Sequence, residues 1–170
     1  DLDIKMACFS QNGKSIRANV KIDKEKETVG LKFGKKLKGS GKLIIDFQGK
    51  LNDDLVGFYR SKYTIGKSEK YLATTQFEAP YARRAFPCFD EPAYKATFDV
   101  TLRIDKDLQA ISNMPIKEEK KEGNKKIVKF HRSPKMSTYL LYLGVGEFEF
   151  LQDKQGKTLV RIATVPGKKQ

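Results

Sequence analysis

A chain of 170 residues, 39% hydrophobic and 32% charged, fits one domain with a core of its own and is neither disordered nor rich enough in apolar runs for a membrane helix of roughly 20 residues. A net charge of +13 invites a nucleic-acid or anionic-membrane partner. Only seven of the 34 basic residues are arginines, however, and lysines alternate with apolar residues, as in Val20-Lys21-Ile22 and Leu31-Lys32-Phe33, so the charge reads as a solvated sheet face and neither partner is expected.

Period-two alternation dominates the chain. Ile16, Ala18, Val20 and Ile22 alternate with Arg17, Asn19 and Lys21. After a charged turn at Asp23 to Glu27, Val29, Leu31 and Phe33 repeat the pattern, which predicts a hairpin. Gly39-Ser40-Gly41 reads as a turn into a strand carrying Leu43, Ile45 and Phe47 on one face. Phe98, Val100, Leu102 and Ile104 alternate with Asp99, Thr101 and Arg103. Further strands are expected at Lys125–Phe130, Tyr139–Leu143, Phe148–Leu151 and Thr158–Val165, with turns at Gly123-Asn124 and Gln155-Gly156. The charge run from Lys117 to Lys126 reads as an exposed hairpin tip, and only Tyr81 to Ala85 offers a single helical turn. The prediction is an all-β domain of twisted antiparallel sheets packed face to face as a β-sandwich, with little helix.

One segment breaks the rhythm. From Phe77 to Tyr94 the chain carries Pro80, Pro87 and Pro92, the adjacent Arg83 and Arg84, and the acids Asp90 and Glu91. An irregular stretch of this length inside a compact domain is usually functional, and pairing of these arginines with these acids would hold its shape.

Catalytic constellations are sparse. The single histidine, His131, excludes a HExxH zinc helix and reads as a surface residue. Gly144-Val145-Gly146 lacks the third glycine and the helix of a dinucleotide loop, so a strand bend is expected. Asp53-Asp54 and Asp90-Glu91 are candidate acid/base couples, against which turn chemistry suits the first and a structural ion pair the second. Cys8 and Cys88 form no CxxC pair, and no N-x-S/T sequon occurs. The two residues read as reduced, unpaired thiols of a cytoplasmic protein, Cys88 as a packed thiol and not a nucleophile. Asp1 to Lys5 has no signal-peptide character, and the missing initiator methionine is expected of a trimmed start.

The most suggestive local feature is Thr75-Gln76-Phe77-Glu78. In an extended stretch Gln76 and Glu78 share one face and Phe77 the other. Phe77 would then be core, leaving an amide and a carboxylate together at the mouth of the irregular loop, as a recognition pair for a cationic, hydrogen-bonding ligand. A solvated strand end is the plainer reading of the same residues.

The run TTQFEAPYARRAFPCFDEPAYKATFDVTL, Thr74 to Leu102, resembles the signature segment in the first domain of aminopeptidase N-type enzymes. That group includes the puromycin-sensitive aminopeptidases and the archaeal tricorn-associated factors. LIIDFQGKLNDDLVGFYRSKY (Leu43 to Tyr63), SNMP (Ser112 to Pro115), MSTYLLYLGVGEFE (Met136 to Glu149) and the terminal VPGKKQ agree in order and spacing. The resemblance thus covers nearly the whole chain. It implies that residues 1–170 are a single saddle-like amino-terminal β domain of a larger zinc aminopeptidase, ending about where the linker into the catalytic domain begins. It also implies that Gln76 and Glu78 bind the substrate's amino terminus and line the pocket for its first side chain. The catalytic residues, the HExxH zinc ligands and the GxMEN motif would lie in the next domain, so zinc belongs to the parent enzyme and is not bound by this chain. Peptide substrates and the catalytic domain of the same parent chain are the implied partners. Two other classes stay open: a non-enzymatic β-sandwich module that binds peptides or proteins, and a basic nucleic-acid-binding domain.

Overall fold

The computed structural model describes residues 2–169. Thirteen strands run in chain order as β1 (Asp3–Gln11), β2 (Lys14–Asp23), β3 (Thr28–Phe33), β4 (Lys42–Gln48), β5 (Gly57–Ile65), β6 (Ser68–Gln76), β7 (Thr101–Asp105), β8 (Gln109–Ser112), β9 (Ile116–Glu122), β10 (Lys125–Phe130), β11 (Leu143–Gly146), β12 (Glu149–Gln155) and β13 (Thr158–Thr164). Among the described residues the helical elements are two 3-10 turns, Ala82–Arg84 and Thr138–Leu140. Every strand ladder is antiparallel, in four sheets ordered β3-β2-β1-β4, β5-β6-β11-β8, β7-β10-β9 and the ribbon β12-β13. The all-β reading holds.

The amino-terminal hairpin forms as its alternation requires. Ala18 pairs with Phe33 and Ile22 with Val29, so the apolar residues of β2 and β3 share one face and the lysines the other. Lys125–Phe130 is a strand with the expected bounds. Its Val128 and Phe130 pack with Ile104 of β7 and Ala110 of β8, flanked by Leu102 and Val145. Residues of the β7-β10-β9 sheet thereby meet residues of the β5-β6-β11-β8 sheet, which is the face-to-face packing of a sandwich. The run Lys117 to Lys126 is more than a tip. It forms most of exposed β9, the turn at Gly123-Asn124 and the start of β10. Lysines and glutamates pair across this hairpin, as in Lys126–Glu119 at 3.2 Å and Lys129–Glu118 at 3.0 Å.

Two expectations fail. Tyr139–Leu143 is not a strand; a 3-10 turn at Thr138–Leu140 precedes β11. Side chains satisfy this backbone where a neighbouring strand would otherwise do so: Asn113 Nδ2 donates to the Leu140 carbonyl at 2.7 Å, and the Tyr142 N–H donates to Asn113 Oδ1 at 2.8 Å. Gly144-Val145-Gly146 is not a bend but regular β11, paired with both β6 and β8. A Cβ on Gly146 would stand 2.7 Å from Leu72 Cβ, so glycine there serves close strand approach.

Candidate functional site

Strand β6 delivers the candidate pair. Gln76 is its last residue and lies opposite Gly57 of β5. The strand is held on its other side by β11, where Gly144 pairs with Thr74 and the Leu143 N–H donates to Thr75 Oγ1 at 3.0 Å. The next residue, Phe77, is only 1% exposed. It packs with Ala82 and Leu141 and meets the Phe86 ring edge-on at 6.0 Å. Burial of that ring fixes the direction of its two neighbours. Gln76 and Glu78 are both exposed, and the Glu78 N–H donates to Gln76 Oε1 at 3.3 Å, leaving Gln76 Nε2 as a donor. Among the described residues no cation pairs with the Glu78 carboxylate.

The loop after Phe77 is braced by ion pairs. A bond from the Tyr81 N–H to the Phe77 carbonyl at 3.1 Å closes a turn that runs into the 3-10 turn Ala82–Arg84. Asp90, 5% exposed at its side chain, accepts from the Arg83 N–H at 3.1 Å and from Arg83 Nε at 3.0 Å through one oxygen. Arg83 Nη1 also reaches Glu27 at 3.1 Å, joining the loop to the β2–β3 turn. These bonds, that to Asp90 foremost, hold the guanidinium above its ordinary pKa despite partial burial. Arg84 pairs with Asp54 at 3.7 Å and lies over the Tyr81 ring at 5.3 Å. Of the expected pairings, Arg83 with Asp90 is present, whereas Arg84 takes Asp54 and Glu91 has no ion pair among the described residues. Gly57 is required beneath this loop on two grounds: its φ of +73° and the 2.9 Å that would separate a Cβ from Arg84 Cβ.

The paired acids resolve as structure. Asp53 forms a two-pronged bond with Arg60, 2.9 Å to Nε and 2.7 Å to Nη2, which holds its carboxyl below the usual range. The Asp54 N–H caps onto Asn52 Oδ1 at 2.9 Å, the turn chemistry expected there. His131 is exposed at the end of β10. Among the described residues no three His, Cys, Asp or Glu side chains gather where they could hold a metal ion. Among the same residues no helix is long and apolar enough to cross a membrane.

Cys8 and Cys88 stand unbridged. Burial chiefly, with Asp90 adding to it, pushes the Cys88 thiol up to about 12, and the nearby Arg83 offsets this only in part. Folded Cys88 is therefore expected to alkylate at pH 8 roughly a thousandfold more slowly than in the unfolded chain, since the thiolate is the nucleophile. Mass spectrometry of iodoacetamide adducts measures this; equal rates would contradict it. The sign of the linkage follows. Between pH 9 and pH 12 the unfolded thiol ionises while the folded one keeps its proton, so stability falls as pH rises through that window.

Residues 1–140 match the Peptidase M1 N-terminal domain. The chain belongs to that family. It is 50% identical over 132 residues to probable aminopeptidase 2 of Sulfurisphaera tokodaii, covering 77% of this chain and 16% of that protein. It is 44% identical over 168 residues to leucyl aminopeptidase of Saccharolobus solfataricus, covering 98% and 20%. It is 53% identical over 136 residues to puromycin-sensitive aminopeptidase of Caenorhabditis elegans, covering 76% and 14%. This Peptidase M1 N-terminal domain thus spans a fifth or less of the length of those relatives. The inward Phe77 and the outward Gln76 and Glu78 stand where the alternation of the sequence puts them, whereas the Glu27 and Asp54 partners of the loop arginines, in turns remote in sequence, carry no signal that names them.

Proposed function

We propose that this chain is the amino-terminal domain of a zinc-dependent aminopeptidase, and that its task is to seize the free amino terminus of a peptide substrate with Glu78 and Gln76. The observation that carries the proposal is the exposed Gln76–Glu78 pair, aimed by the buried Phe77 ring between them and carrying a carboxylate that no cation among the described residues meets. A peptide ammonium has a pKa near 8 and is largely cationic at neutral pH. A carboxylate at a fixed point forms a charge-assisted hydrogen bond with it and so sets how far the chain can enter. Gln76, with Oε1 held by the Glu78 N–H, turns Nε2 toward the substrate backbone and the first side chain. Similarity to three aminopeptidases at 44–53% identity supports the enzymatic class of the parent. The zinc of such a parent needs ligands from outside the described residues, and the isolated chain is expected to be inactive. Unbridged cysteines fit a reducing compartment, the cytoplasm in this proposal.

The test is a matched pair of chromogenic peptides, one with a free and one with an acetylated amino terminus, presented to the full-length enzyme and to the 170-residue chain. Turnover of the free-amine peptide by the full-length enzyme alone is expected. Binding of both peptides without turnover by either protein would favour a non-enzymatic peptide-binding module instead.

A further inference from the structure

Phe89 is the most exposed large apolar side chain among the described residues, at 78%, and Tyr94 follows at 63%. The two rings pack on each other at 5.7 Å between centroids, with residues 91 to 93 exposed between them. Exposed aromatics on a mobile loop would mean little, but this loop is held. Asp90 is bonded to Arg83 from below. Ser137 Oγ, on a nearly buried side chain, donates to the Pro92 carbonyl at 2.6 Å, and Thr138 Oγ1 to the Phe89 carbonyl at 3.3 Å. Ala96 and Met136 then exchange two backbone bonds at 2.9 and 3.0 Å. The backbone is fixed toward the domain and both rings are turned away from it.

We propose that the Phe89–Tyr94 loop is the surface by which this domain seats on the remainder of its parent polypeptide, with the two rings as anchors. Rigid aromatic side chains whose ordering cost is already met before contact are the usual energetic centres of interfaces. A second, independent observation is the total surface. The chain exposes 12350 Å², whereas a folded monomer of its 19.4 kDa exposes about 8,500 Å². The excess is spread over the molecule, with Leu43, Ile44, Leu159 and Ile162 also exposed, and leaves ample surface for a covering partner, the Phe89–Tyr94 pair included. The occupant is the rest of the parent because the relatives are roughly five to seven times longer than the part this chain matches. In addition, the loop shares its Arg83–Asp90 brace with the segment that aims Gln76 and Glu78. The inference rests on the proposed aminopeptidase parent only in requiring that longer chain.

Hydroxyl-radical footprinting of the full-length protein, read by mass spectrometry, tests it. Oxidation of Phe89 and Tyr94 is expected to be about tenfold slower in the native protein than in the same protein unfolded in guanidinium, because the centre of an interface excludes water. Rates within about twofold of the unfolded rate, as free rings would give on this fixed loop, would overturn the proposal. So would protection that appears only on concentration into a dimer, which would make a second copy the occupant. A peptidase assay on the same sample separates the two readings. Turnover with reactive rings removes the docking surface and keeps the enzyme, while protected rings without turnover keep the docking surface and remove the enzyme.

Discussion

Glu78→Gln in the full-length enzyme is expected to lower kcat/KM on free-amine peptides by about ten- to 150-fold. The substitution keeps the shape and removes the charge, and a hydrogen bond to a charged group is worth roughly 1.5–3 kcal/mol, which converts to that range at 1.36 kcal/mol per decade. Because the Glu78 side chain is exposed and makes no ion pair among the described residues, its replacement has little to disturb in the fold. Lys121→Gln, on exposed β9, serves as the control and is expected to leave kcat/KM unchanged. Preference for a free over an acetylated amine separates the role from general damage: the wild type should discriminate strongly and Glu78→Gln much less. Equal discrimination by both enzymes would show that Glu78 does not hold the amine.

The elements that could be read from residue order are those whose burial is one-sided. In β2, β3 and β7 the apolar residues fall every second position and face one way, so alternation alone specifies them. The same period placed Phe77 inward and its neighbours outward. Strand β6 escapes, because Glu69, Lys70 and the three successive small residues Ala73 to Thr75 leave no apolar stripe. Strand β5 does alternate, with Tyr59, Ser61, Tyr63 and Ile65 half-buried between exposed Arg60, Lys62 and Thr64. Its inward face is more aromatic and polar than aliphatic, however, and long antiparallel pairing from Gly57–Gln76 to Ile65–Ser68 joins the two. Tyr139 to Leu143 misled in the opposite sense. Its residues favour a strand, but Asn113, Ser137 and Thr138 spend their side chains on the local backbone and on the Phe89–Pro92 loop. The charges follow the same division. Arg83 with Asp90 is a partnership seven residues apart within one loop, whereas Arg83 with Glu27 spans 56 and depends on where the sheets place their turns.

Phe77→Ala is expected to be the most damaging single truncation near the site, costing about 3–5 kcal/mol, the usual range for emptying a fully buried phenylalanine position. The ring is closed in by Ala82, Leu141 and the edge-on Phe86, and Ala82 is too small to move in and fill the space. For a chain of this length each kcal/mol lowers Tm by about 2–4 °C, so a fall of roughly 6–20 °C follows. Phe89→Ala provides the contrast within one loop. Its ring is largely in water in this domain, and truncation should change the stability of the 170-residue chain by no more than about 0.5 kcal/mol. Thermal and urea unfolding of the two variants beside the wild type measure both numbers. The chemistry should follow the core: with Phe77 gone, the strand end that aims Gln76 and Glu78 loses its anchor, and kcat/KM of the full-length enzyme should fall even at temperatures where the variant remains folded. A Phe77→Ala protein as stable as the wild type would mean that the ring is not what sets the pair, and that the β6–β11 ladder alone positions it.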